Sequence, residues 1–424
     1  MDMFDFREGE LFCEDVDVNV IAEQVGTPIF IYSAGTILDH FDNVEGAWEG
    51  MPHMVCYAVK ANSNIAILRL LVEHGAGMEV VSQGELFRSL QAGADPNKII
   101  FTGPGKTASE IEYAVQKDIF LLVVESLPEL LRLNEVAAAA NKKARFAVRV
   151  NPDVDPQTHA HITTGRAINK FGLDPASAVE AYRKSKDLSH LLPVGIHMHI
   201  GSQIVSSQPY VEAVEKVRPV IEQVRELGIE LEYCDLGGGM GVIYDEEQPC
   251  TADELVGKVK PLVKSLDMTI IMEPGRFIVG NAGILVTEVQ YIKKTTLKKF
   301  VVVDAGMNEL IRPALYGAYH RILSTQDVGP EMIEADIVGP VCESADTFAK
   351  ERQIPAVKAG DYLAIMTAGA YASCMSSEYN SRPKCAEVLV QGEQFSIIRE
   401  RGKLDDLVES ERIPDFLSKP SPAE

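Results

Sequence analysis

The sequence predicts an α/β protein: a (β/α)8 TIM-type barrel joined to a second, β-rich C-terminal domain. Three observations carry this. Short apolar, β-branched runs recur at fairly even intervals through residues 55–276, and segments of helical period separate them. After Arg276 the apolar runs continue, but their helical partners thin out.

The runs are VCYAV from Val55, GMEVVS from Gly77, KIIFTG from Lys98, FLLVVES from Phe120, RFAVRVN from Arg145, VGIHMHIGS from Val194, YCDLGGG from Tyr233 and TIIMEPGR from Thr269. Between them lie NIAILRLLVEHG, GELFRSLQAG, ASEIEYAVQKD, LPELLRLNEVAAAANK and YVEAVEKVRPVIEQVRELG. Most close on the Gly, Asn or Asp expected beyond a helix C-terminus. Eight such units favour a closed barrel, with an open doubly wound sheet as the alternative. One connection, residues 151–172, is too long and polar for a simple loop and reads as a lid, a binding loop or a disordered insertion. Past Arg276, ILVTEVQYIKK, KKFVVVDAG, EADIVGPV, DYLAIMTAGAYA and AEVLVQGEQFSIIRER read as strands, the last folding back as a hairpin around Gly392 and Glu393. The early run TPIFIYS fits either part. The expected division is a barrel over residues 35–277 and a β-rich domain of residues 1–34 plus 278–424.

Composition narrows the function. A formal net charge of −22 argues against nucleic acid or an anionic membrane as partner, since both require a basic surface. Seven scattered cysteines without a CxxC pair fit reduced thiols in a cytoplasm better than disulfides or a zinc ribbon. The opening MDMFDFREGELF is acidic and lacks the apolar core of a signal or transit peptide, and no apolar run is long enough to span a bilayer.

In a parallel barrel, chemistry sits at the C-terminal ends of the strands. The first run ends in Lys60, the sixth in His197-Met198-His199 and Ser202, the seventh in Gly237, Gly238 and Gly239, and the eighth in Glu273, Pro274, Gly275 and Arg276. A strand-end lysine can simply reach solvent, because lysine snorkels. Kept partly neutral by desolvation, it can instead form a Schiff base. Three glycines allow backbone N–H groups to approach a phosphate, though a mere turn needs no ligand. Glu273 could hold a pyridine nitrogen protonated, or simply pair with Arg276, and His199 could stack on a ring. Together these groups suit pyridoxal 5'-phosphate. Two rival motifs are weaker. His197 and His199 alternate onto one strand face like metal ligands, but no third and fourth ligands accompany them. GPGKT, residues 103–107, lacks the first glycine of a nucleotide-binding loop, Ile100 standing in its place.

An ordered set of segments over nearly the whole chain carries a resemblance: YAVKANSN, VVSQGEL, NPDVD, KFG, HMHIGSQ, DLGGGMG, EPGR, DAGMNELIRPALYGAYH, GPVCESAD and GAYASCMSSEYNSRP. The chain resembles the pyridoxal-phosphate decarboxylases of the alanine-racemase fold type, the group acting on ornithine, arginine and diaminopimelate. The resemblance implies a homodimer with shared active sites, the β-rich domain contributing to both. It implies Lys60 as cofactor anchor and His199 as stacking residue, with Ser202, the three glycines, Arg276 and Tyr371 around the phosphate and Glu273 on the ring nitrogen. Arg276, Arg312, Tyr316 and Tyr371 would surround the substrate. Cys342, near the reacting carbon, and Glu343, on the distal ammonium, would come from the partner subunit.

Glu273 separates the chain from racemases of this fold, which carry arginine there. Arg312 and Tyr316, with Cys342-Glu343-Ser344, point within the resemblance to meso-2,6-diaminopimelate as substrate and L-lysine as product, the last step of lysine biosynthesis. Ornithine or arginine decarboxylation is the alternative. A silent binding protein of the same shape and a metal-dependent barrel hydrolase are readings from other classes. Glu79 stands where the family more often has Asp, and Gln83 where Gly is common.

Overall fold

The computed structural model describes residues 2–155 and 170–417. The middle of the long 151–172 connection, read above as a lid or binding loop, lies outside the described residues.

Each of the eight runs forms a barrel strand: His53–Ala58, Gly77–Val80, Ile99–Phe101, Leu121–Val124, Ala144–Arg149, Leu191–His197, Tyr233–Asp235 and Thr269–Met272. All neighbours pair in parallel and in chain order, and the last closes on the first with Ile270 opposite His53. Closure buries both faces of every strand, which is why the runs are continuously apolar rather than alternating. Cys56, Ile100, Leu121, Val123, Ala147, Val194 and Ile271 fill the lower barrel interior, while the outward residues pack under the surrounding helices. The helices stop where the sequence stops them. Asp118, Asn141 and Gly228, for example, take positive φ just past a C-terminus.

The second sheet runs in the order Thr347–Pro355, Met332–Val338, Lys299–Val303, Gly283–Lys294, Ile29–Ser33, Ala386–Gln391, Gln394–Arg399. TPIFIYS thus belongs to this sheet, antiparallel to Gly283–Lys294 and parallel to Ala386–Gln391. The expected hairpin is present, with Gln391 opposite Gln394 and Gly392 at φ 59 in its two-residue turn. Besides the short strands Phe4–Arg7, Glu10–Cys13, Val16–Asp17 and Ile322–Ser324, the sequence reading missed Thr347–Pro355, TFAKERQIP, whose Lys, Glu, Arg and Gln obscure the apolar signal. It is an edge strand, where such charges discourage pairing with another chain.

Candidate active site

Loops at the C-terminal rim of the barrel meet the β-rich domain around one cavity of about 390 Å³. Lys60, His199, Ser202 and Arg276 line it from the barrel, and Arg312, Tyr316 and Tyr371 from the other domain. The two walls are bonded together: the Tyr371 N–H donates to Ala61 O at 2.8 Å, and Asn62 Nδ2 donates to Gly369 O at 3.2 Å.

Lys60 is not on the first strand. That strand ends at Ala58, and the lysine sits in the one-turn 3-10 helix Val59–Ala61 that follows. Its Nζ lies 2.7 Å from Glu79 Oε2, with the lysine side chain 33% exposed and the glutamate fully buried. Partial burial pulls the ammonium's pKa down, but Glu79, Tyr371 and Glu273 outweigh it and the net shift is upward. The expectation that desolvation keeps Lys60 neutral is therefore corrected. In this protein the lysine is held charged by a carboxylate that also accepts from Thr102.

The two histidines part company. The sixth strand ends at His197, whose Nε2 donates to Glu273 Oε2 at 3.2 Å. His199, past the strand end, accepts the Gly238 N–H at Nδ1, 3.2 Å away. Burial, Arg149 and Lys60 hold its imidazole well below the usual pKa, hence neutral. Among the described residues, His197, Asp235 and Glu273 bring ligand-type atoms within 4.8 Å of one another. Burial and Glu273 push the Asp235 carboxyl well up. Burial would raise Glu273 as well, but His197 and Lys60 bring it down to about 2. The proton stays on Asp235 and the negative charge on Glu273.

The three glycines are crowded by backbone: a Cβ on Gly237, Gly238 or Gly239 would collide with Met198 O, Glu273 O or Gly201 O. Two of the three N–H groups donate inside the protein, Gly237 to Asp235 Oδ1 at 2.8 Å and Gly238 to His199. Pro274 and Gly275 form the turn into the short helix Arg276–Val279, and Gly275 packs against Ala58 and Ala61.

On the opposite wall Arg276 donates to Tyr244 Oη at 2.6 Å and to Ser202 Oγ at 3.1 Å, and lies 4.7 Å over the Tyr371 ring. Arg312 lies 4.5 Å over the other ring, Tyr244. Cys342 and Glu343 do not line the cavity. Both are exposed, the Cys342 N–H donating to Asn380 Oδ1 and Glu343 accepting from Tyr379 Oη at 3.3 Å.

Sequence reasoning missed Tyr244, His320, Thr102 and Arg149. Tyr244 lies in irregular chain with no motif chemistry, and His320 closes the segment DAGMNELIRPALYGAYH without a role read for it. Arg149 ends the fifth strand, a position that could have flagged it, and pairs with buried Glu125 at 3.0 Å. GPGKT is structural. The Lys106 side chain is buried, 2.7 Å from Glu129.

A barrel with a lysine in the turn just beyond its first strand, a buried ionised carboxylate whose Oε1 has no partner among the described residues, and unneutralised arginines fits pyridoxal phosphate. Residues 34–280 match the pyridoxal binding domain of the pyridoxal-dependent decarboxylases. The chain belongs to this family, and is a pyridoxal-phosphate-dependent decarboxylase. It is 46% identical to a diaminopimelate decarboxylase of Aquifex aeolicus, over 96% of each chain. Among solved structures it is similar to the diaminopimelate decarboxylase of Helicobacter pylori complexed with L-lysine, at 42% identity and TM-score 0.89, covering 92% of this chain and 98% of that one. It is also similar to that of M. jannaschii in co-complex with L-lysine, at 37% identity and TM-score 0.94, covering 98% and 99%.

Proposed function

We propose that this chain removes one carboxyl group from meso-2,6-diaminopimelate, giving L-lysine and CO2. One observation carries the choice of substrate. Arg276 and Arg312 are each 7% exposed beside Lys60, and among the described residues neither forms an ion pair with a carboxylate. A buried cation without a counter-anion is costly, so the anions must arrive with the ligands. The cofactor phosphate would serve Arg276. A distal carboxylate, which ornithine and arginine lack, would serve Arg312. The relatives named above, two of them crystallised with L-lysine, support the same assignment.

When bound, pyridoxal phosphate supplies an aldehyde that condenses with amines and a ring that accepts the electron pair freed as CO2 leaves. The protein's residues place and protect that chemistry. Lys60 would hold the aldehyde end. Glu273, charged and with Oε1 to spare, would keep a proton at the ring nitrogen, and His199 would pack on the ring face. Ser202, the Gly239 N–H, Arg276 and Tyr371 would hold the phosphate, Pro274 and Gly275 set the turn carrying Arg276, and Gly237 and Gly238 pack tightly against neighbouring backbone. Arg312 and Tyr316 orient the substrate by its distal carboxylate.

Cys342 and Glu343, remote from the cavity of their own chain, complete the site of a second copy in a homodimer. There Cys342 returns the proton to carbon and Glu343 receives the distal ammonium. The barrel over residues 35–277 holds the cofactor, and residues 1–34 plus 278–424 build the shared interface. The reaction belongs to lysine biosynthesis in the cytoplasm. A CO2-release assay of the cofactor-loaded protein on meso-diaminopimelate, ornithine, arginine and lysine tests the reading. Release from diaminopimelate alone is expected, and faster release from ornithine would overturn it.

A further inference from the structure

We propose that His320 is a positioning residue for substrate selection. It is a buried, uncharged imidazole that fixes the Arg312 guanidinium without neutralising it, leaving the positive charge for a substrate carboxylate. The proposal rests on the reading of Arg312 given above.

The geometry defines the imidazole's state. His320 is 0% exposed. Its Nδ1 lies 2.9 Å from Met366 O, and a carbonyl can only accept, so Nδ1 carries the proton. Nε2 then offers a lone pair, and Arg312 Nη1, which can only donate, lies 3.2 Å from it. Both bonds are satisfied by one neutral tautomer. An imidazolium would set N–H against N–H beside a guanidinium.

The surroundings hold that state. The charged and titratable groups facing His320 are Arg312, Arg276, Arg352, whose Nη1 donates to His320 O at 3.1 Å, and Tyr244, whose ring meets the imidazole edge-on at 5.3 Å. None is a carboxylate. Burial and Arg312 bring the imidazole pKa down to about 3. Arg312 is thus held from one side by the Tyr244 ring and from another by a neutral nitrogen.

A carboxylate at the His320 position would grip Arg312 more tightly, but it would cancel the charge. In a site of low dielectric that difference decides which ligand enters. An uncompensated guanidinium attracts a substrate ending in carboxylate and repels one ending in ammonium, so the same contact serves affinity and rejection.

Steady-state kinetics of cofactor-loaded His320→Leu, His320→Gln, Arg312→Leu and the double variant His320→Leu/Arg312→Leu test the proposal. Arg312→Leu should raise KM for meso-diaminopimelate by about tenfold or more, and His320→Leu by about tenfold with kcat within about threefold and the cofactor's absorption spectrum unchanged. Gln, which can accept from Arg312 and donate to Met366 O, should bring KM back to within about threefold of the parent. The double variant should match Arg312→Leu alone, because His320 acts only through that arginine. Additive effects, or an unchanged KM in His320→Leu, would overturn the proposal and leave the role of Arg312 standing. An unchanged KM in Arg312→Leu would overturn that role and the proposal together. Should His320→Leu fail to fold, imidazole 15N NMR of the parent decides: a neutral Nδ1–H form from about pH 5.5 to about pH 9 is expected, and titration within that range refutes it.

Discussion

Glu79 and Lys60 face each other across the first two barrel strands, Oε2 to Nζ at 2.7 Å, because the register sets Glu79 opposite Ala58 and the chain turns inward just beyond. The lysine that must become a free amine to capture an aldehyde is therefore held as an ammonium. Replacing the charge but not the shape, Glu79→Gln, should lower the Lys60 pKa. The apoprotein should then take up pyridoxal phosphate faster at pH 8, read as the growth of visible absorbance. Slower or unchanged uptake would show that Glu79 does not govern the lysine.

Tyr244 joins the two arginines, accepting from Arg276 through its hydroxyl and carrying Arg312 on its ring. Tyr244→Phe keeps the ring and removes the acceptor. Loss of a charge-assisted hydrogen bond, about 1.5–3 kcal/mol, should weaken cofactor binding by at least about tenfold while KM for substrate changes less. Fluorescence titration of the apoprotein with pyridoxal phosphate measures the first and initial rates the second.

Two carboxyls, one half-buried and one buried, predict how stability follows pH. Burial and Glu79 raise Glu85 to about 7, and burial raises Glu309 to about 7. Both pKa values lie above those in the unfolded chain, so the native state binds more protons between the two. Stability then falls as pH rises through roughly 4.5 to 7. The apoprotein's Tm should drop over that window, and Glu85→Gln with Glu309→Gln should flatten the slope. Glu273, held at about 2, works in the opposite sense and only in stronger acid, its contribution being lost as pH falls below the ordinary carboxylate range.

Shared sites make a mixing experiment decisive. Lys60→Ala and Cys342→Ala should each be inactive alone. If Cys342 acts in a second copy's cavity, unfolding and refolding the two together should restore up to about a quarter of parental activity, since half the dimers carry one intact site. No recovery, with both variants dimeric by light scattering, would place Cys342 outside the reaction.

Much of the fold was legible because eight strands buried on both faces leave eight continuous apolar runs. Thr347–Pro355 was not, since an edge strand carries charges for reasons unconnected with its own sheet. At the site, the order of strand ends located Lys60, His199, Glu273 and Arg276. The protonation of Lys60 was misread because it depends on Glu79, a neighbour in register rather than in sequence. Two of the glycines, Gly237 and Gly238, direct their N–H groups to Asp235 and His199, which only tertiary packing reveals. Tyr244 carries no motif, His320 only ends one, and the importance of both lies in what they touch.

The strand Ile29–Ser33 occupies the middle of its sheet, between Gly283–Lys294 and Ala386–Gln391. During synthesis it leaves the ribosome before the barrel, yet its first partner starts only after the barrel's last strand, Thr269–Met272, has emerged, and its second follows about a hundred residues later. Its apolar Ile29, Phe30, Ile31 and Tyr32 wait some 250 residues of further chain for the first partner and some 350 for the second, a long exposure of apolar surface in the nascent polypeptide. The wait also sets the order of assembly. The Arg312 and Tyr371 segments can dock on the rim only once this first-made strand has been enclosed by the last-made ones, so a stalled or clipped chain holds Lys60 but has no cavity to put it in.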